Sequence, residues 1–227
     1  MGTMRLLLAS ITTASAVALA VPVAALGTLN EVGFTAAQLA QKTPTQPPPS
    51  CPANPCLAVS RTTGFQVKVA DERSVVTIPR DGTIVAWSIT LGSPSKQQIA
   101  FFNTNEGGPA SAGIAIVRGG SKLAYRLLAQ SPIVALQPYF GMTAQFALAQ
   151  TIPVKKGNIV ALTVPTWAPA LALGFGNDVS WRASRPKAQC ADTKTQTTHT
   201  AVGSIVQYIC LYRTARLTYS ATLVSTP

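Results

Sequence analysis

A two-residue rhythm of apolar and polar side chains, restarted at short intervals by Gly or Pro, constrains this chain more than any other feature. In 83–91 (TIVAWSITL), Val85, Trp87, Ile89 and Leu91 fall on one face and Ile84, Ala86, Ser88 and Thr90 on the other. A period of two belongs to a half-buried strand, because successive side chains leave opposite faces of a pleated backbone. The same reading predicts strands over 63–70, 74–78, 98–103, 113–118, 122–130, 133–140, 158–164, 170–175 and 216–224. In the last of these, Leu217, Tyr219, Ala221 and Leu223 point inward. Pro79-Arg80-Asp81-Gly82 is expected to be a turn in which Gly supplies the positive φ, and Arg118-Gly119-Gly120-Ser121 a hairpin turn. Pro153 marks 151–157 as an edge piece, since proline has no amide hydrogen to give a ladder. No block of helical periodicity competes. The expected fold class is all-β: an antiparallel β-sandwich, jelly-roll-like, with an up-and-down barrel as the alternative.

The N-terminus predicts export. Arg5 is the only charge before Glu31, an apolar run follows over 6–20, and Ala18-Leu19-Ala20 and Val23-Ala24-Ala25 both fit small-x-small cleavage. That is the order of a signal peptide, expected over 1–25 with cleavage after Ala25, or alternatively Ala20. Its core is short for a membrane span of roughly 20 apolar residues, so no transmembrane anchor is expected after cleavage. The proline cluster Pro47-Pro48-Pro49 makes 26–50 a flexible, extended stalk. Residues 51–227 remain, enough for a single domain with one buried core.

Exported chains form disulfides, and Cys51, Cys56, Cys190 and Cys210 allow three pairings. The local pairs are favoured: Cys51–Cys56 around a proline-stiffened loop, and Cys190–Cys210 around a polar one. The formal charge is +11 with only 11% charged residues. Such a chain packs as a globule and favours anionic surroundings such as a cell-wall polymer or an acidic polysaccharide.

The segments Ile78-Pro79-Arg80-Asp81-Gly82-Thr83-Ile84-Val85-Ala86-Trp87 and, much later, Ile152-Pro153-Val154-Lys155-Lys156-Gly157-Asn158-Ile159-Val160-Ala161-Leu162 carry a resemblance. Together they look like exported β-sandwich proteins of high-GC Gram-positive bacteria that have no assigned activity. The matching residues are turn and strand residues. The resemblance therefore implies a fold and brings no functional residue with it.

Catalytic chemistry finds little to use. The single histidine, His199, lies in the polar segment TKTQTTHT and reads as a solvated loop residue; no G-x-S-x-G elbow accompanies it. Asp178 is the one carboxylate in a setting open to hydrolytic chemistry, beside Asn177. Nucleotide-binding glycine motifs are absent, cysteine spacing disfavours zinc, and no cofactor is implied. Nucleic acid is not an expected partner, because most basic residues are dispersed. The aromatic residues offer more. Trp167 sits between Pro165 and Pro169, and Trp181 follows Asn177 and Asp178 and precedes Arg182. Exposed indoles flanked by amide, carboxylate and guanidinium groups form a sugar-binding surface. The expected ligand-binding set is Trp167, Asn177, Asp178, Trp181 and Arg182. On this reading the protein is a secreted or cell-surface, non-catalytic β-sandwich that contacts the cell envelope or an extracellular glycan. The alternatives are a structural surface protein with no small ligand, and a weak hydrolase.

Overall fold

Residues 27–33, 49–192 and 194–225 are described by a computed structural model. The expected signal peptide and residues 26 and 34–48 of the expected stalk lie outside the described residues. The fold is an all-β sandwich in which every strand pair is antiparallel. One sheet has four strands in the order β1 (Thr28–Gly33), β15 (Tyr219–Ser225), β4 (Gly82–Thr90), β8 (Thr143–Val154). The larger sheet runs β12 (Ile205–Gln207), β6 (Ala124–Gln130), β5 (Ser111–Gly119), β9 (Ile159–Ala168), β2 (Val59–Val69), β11 (Ser180–Ala183), β13 (Cys210–Arg213). The short strands β3 (Glu72–Arg73) and β7 (Val134–Ala135) pair with β2 and β5. A separate ribbon joins β10 (Leu171–Leu173) to β14 (Ala215–Leu217).

Strand β4 follows the expected alternation only in part. Trp87 and Ile89 are buried, but so is Ile84, which the simple pattern puts on the other face. Pairing to both neighbours shifts register there, so a bulge at Val85 flips the inward set. In β15 the inward residues are as read: Tyr219, Ala221 and Leu223 are all buried. Pro153 lies in β8, an edge strand of its sheet.

Three expectations are corrected. The flexible stalk is ordered over Thr28–Gly33, which pairs residue by residue with β15 and buries Val32 in the core. Pro49 and Ser50 also join the domain, bridging to Ala172 and donating to the Leu171 carbonyl. The 98–103 segment is not a strand but part of helix α1, Lys96–Asn105. Ser95 starts it: its Oγ accepts from the Gln98 amide while Gln98 Oε1 accepts from the Ser95 amide. That reciprocal capping box, S-x-x-Q, satisfies two amides that a helix start otherwise leaves open. Finally, 74–78 is a turn with one bridge at Thr77, and 133–140 holds only the short β7 followed by a single 3-10 turn over Gln137–Tyr139.

The central strands β5 and β9 are buried on both faces. The second face is covered by the Cys190–Cys210 loop, which lies along β2: Thr197 donates to the Arg61 carbonyl, and the His199 amide donates to Thr63 Oγ1. Thr63 in turn meets Thr163 of β9 at 3.2 Å. A polar loop can seal a strand face when that face is lined by hydroxyls that pair with it. Both local disulfides are formed, and among the described residues no helix is long and apolar enough to cross a membrane.

Candidate functional site

The two tryptophans of the expected binding surface are core residues. Trp167 is fully buried at the end of β9; its Nε1 donates to Asn103 Oδ1 and to the Gly108 carbonyl, and its ring stacks on Phe102 at 4.7 Å. Trp181 is 5% exposed, stacked on Tyr212 at 4.5 Å and pressed against Gly64, where any added Cβ would meet the indole at 2.8 Å. They pair with Ser60 and Gln66 of β2 from opposite sides. Six residues of strand put them about 20 Å apart along β2. Arg182 is half-buried and spends its guanidinium on the carbonyls of Tyr208 and Ile209. Only Asn177 and Asp178 are exposed, in the turn before β11. The expected set therefore does not converge. Trp167, although flanked by two prolines, and Trp181 both plug the core instead of forming a surface.

His199 is also corrected. It is buried, not solvated, and sits between Tyr208 and Ser204. Ser204 Oγ donates to the Ala201 carbonyl, so the histidine Nε2–H donates to Ser204 at Oγ (2.9 Å) or O (3.2 Å). Nδ1 then accepts from the Tyr208 hydroxyl, whose proton burial holds firmly. In this tautomer the basic nitrogen faces tyrosine rather than serine. The arrangement clips the 201–204 turn and does not activate Ser204 as a nucleophile. Among the described residues no three His, Cys, Asp or Glu side chains gather to hold a metal ion.

The groove that offers an aromatic face lies elsewhere. Helix α1 and the Cys51–Cys56 loop enclose an open groove of about 420 Å³. Phe101, 58% exposed, lines it together with Asn54 and Gln97. Its shape is fixed from several directions. Gln98 Nε2 donates to the carbonyls of Pro52 and Ala53 and ties the loop to the helix. The disulfide closes the loop from within. Phe102, packed edge-on against Phe101, stacks on Trp167 and roots the helix in the core. Trp167 thus supports the groove from below without lining it. The sequence signal for this groove was the capping box at Ser95, which turns a supposed strand into a helix and swings Phe101 outward.

Comparison with protein-family models, with curated proteins and with solved structures finds no match for this chain.

Proposed function

We propose that this protein is exported and acts as a non-catalytic β-sandwich that binds an extracellular or cell-envelope glycan in the groove between α1 and the Cys51–Cys56 loop. The observation that carries this reading is Phe101, exposed in a preformed groove that Asn54 and Gln97 also line. A flat apolar ring packs against the C–H face of a sugar, and primary amides both donate to and accept from its hydroxyls. Gln98 and the disulfide hold the groove open before a ligand arrives, which lowers the ordering cost of binding. Two disulfides fit an extracytoplasmic protein, in keeping with the signal peptide expected over 1–25.

The test is pull-down on insoluble peptidoglycan, cellulose, chitin and starch at physiological salt, with Phe101→Ala as the variant. Phe101 is exposed, so its loss spares the core. Saturable binding to at least one polymer, lowered about tenfold or more by Phe101→Ala, supports the reading. Absence of saturable binding, or binding equal in the variant, overturns it in favour of a structural surface protein.

A further inference from the structure

A second surface, remote in sequence from the α1 groove, has a different chemistry. Ile205 of β12, Arg126 of β6 and Arg118 of β5 lie directly opposite one another in a row across three neighbouring strands. Like charges placed opposite across a strand pair repel, so the Arg118–Arg126 pairing costs the fold stability. Among the described residues neither arginine has a carboxylate partner, and nor does Lys122 in the hairpin beside them. One Arg126 nitrogen donates to the Gly203 carbonyl at 2.6 Å. The two arginines, Gly119, Gly120, Ser121 and Ile205 line a groove of about 300 Å³.

Aliphatic side chains run along the same sheet edge. Leu123, Ile205 and Val202 are 36%, 55% and 62% exposed. Leu123 precedes β6, with its carbonyl held by the Tyr208 amide, and Val202 sits in the turn held to Leu127 at the middle of β6. They are therefore spaced over about 13 Å, four residues of strand, with Ile205 between. Single exposed aliphatics are ordinary. Three along one edge, interleaved with three exposed cations and no acid, make an amphipathic surface.

We infer that this edge docks on the surface of an anionic phospholipid bilayer. Lipid phosphates fit the Arg118–Arg126 groove, and the aliphatic tips of Leu123, Val202 and Ile205 enter the boundary between headgroups and acyl chains. A soluble polyanion satisfies only the arginines and leaves the aliphatic tips in water. A bilayer interface meets both needs, since basic groups gain from anionic headgroups and apolar groups from the hydrocarbon edge. The inference is independent of the glycan groove.

The experiment is co-sedimentation of the chain from residue 26 on, which carries every described residue, with vesicles at physiological salt. One set is an equal mixture of phosphatidylglycerol and phosphatidylcholine, the other phosphatidylcholine alone. The variants are Val202→Ser/Ile205→Ser and Arg118→Ser/Arg126→Ser, with Phe101→Ala as a control and thermal unfolding to check each fold. The expected result is binding to the anionic vesicles only, lowered about tenfold by each pair and unchanged by Phe101→Ala. Binding to soluble polyphosphate falls in the arginine pair and stays at the wild-type level in the aliphatic pair. If the parent chain does not bind anionic vesicles, or if either pair binds them as well as the parent, the inference is overturned. Vesicle binding that survives loss of both aliphatics marks the edge as an anion site alone.

Discussion

The Tyr219 hydroxyl, in the four-stranded sheet, donates at 2.8 Å to the backbone carbonyl of Val160 in the larger sheet. Tyr219 is buried, and burial pushes its ionisation well above the ordinary tyrosine value, so it stays a neutral donor. Packing between sheets is mostly non-directional, and a hydrogen bond across the layers fixes their relative position. Tyr219→Phe keeps the ring and removes the bond. It is expected to cost about 1–3 kcal/mol, because a buried carbonyl loses a partner. Urea unfolding checks this; a midpoint equal to wild type would assign the positioning to shape alone.

Trp167 offers a sharper contrast. Its indole carries both the stacking on Phe102 and two hydrogen bonds that hold the end of α1 and the following turn. Trp167→Ala removes a fully buried large side chain and is expected to cost about 3–5 kcal/mol. Trp167→Phe, which retains an aromatic body, is expected to cost less. Glycan binding should fall in Trp167→Ala only as α1 loosens, whereas Phe101→Ala should lose binding at full stability. A Trp167→Ala variant that is as stable as wild type and still loses binding would instead make Trp167 a contact residue.

The strands could be read from alternation because their faces differ, and where the faces do not differ the reading thins out. Strands β5 and β9 are buried on both sides, and nothing local in Val160, Ala161 and Leu162 says which side meets the other sheet. The bulge at Val85 reverses a face without any glycine to announce it. Over α1, Ile99, Phe101 and Phe102 suit a strand, and the signal that decides for helix is the polar pair Ser95 and Gln98. Both disulfides could be reached from loop length and compartment. The candidate site could not, because exposure is a tertiary property. Trp167 and Trp181 are buried by strands distant in sequence, and Phe101 is exposed by a helix end pinned to a disulfide loop. The Arg118–Arg126 pair needed the hairpin's register, which Gly119 and Gly120 permit but do not specify.

The Cys190–Cys210 disulfide closes a loop of sequence separation 20 that does structural work of its own. Arg61, whose guanidinium lies 3.7 Å from Glu106, also donates to the carbonyls of Asn105 and Lys194 and so joins α1 to this loop. Replacing both cysteines by serine is expected to cost about 3 kcal/mol from chain entropy alone. Losing the cover over β2 should add to that. Hydrogen exchange should show the Thr197 and His199 amides losing protection before those of β9. Uniform loss across the sheet would mean that the loop and sheet open together.

Acid should loosen the protein through His199. Burial holds its ionisation below the ordinary histidine value of 6.5. The ring is neutral in the fold, accepting from Tyr208 and donating to Ser204. A second ring proton would turn Nδ1 into a donor facing a hydroxyl whose own proton points at it. The unfolded chain binds that proton at a higher pH than the folded chain does. Stability is therefore full above about pH 6.5 and declines as pH falls through the depressed folded value. Asp81 and Asp192 act in a lower window. Hydrogen bonds hold Asp81 down through the Lys156 amide and Lys155, and Asp192 through Thr195 and the Lys194 amide. Their contribution is present above the ordinary aspartate value of 3.8 and is lost only below it. Between about pH 6.5 and pH 4.5 the slope of stability against pH should belong to His199, and His199→Gln should flatten it. Exchange at the Gly203 and Ser204 amides should quicken over the same range, because that turn hangs from the histidine. A wild-type curve that is flat there, or a His199→Gln curve with the same slope, would remove His199 as the acid-sensitive group.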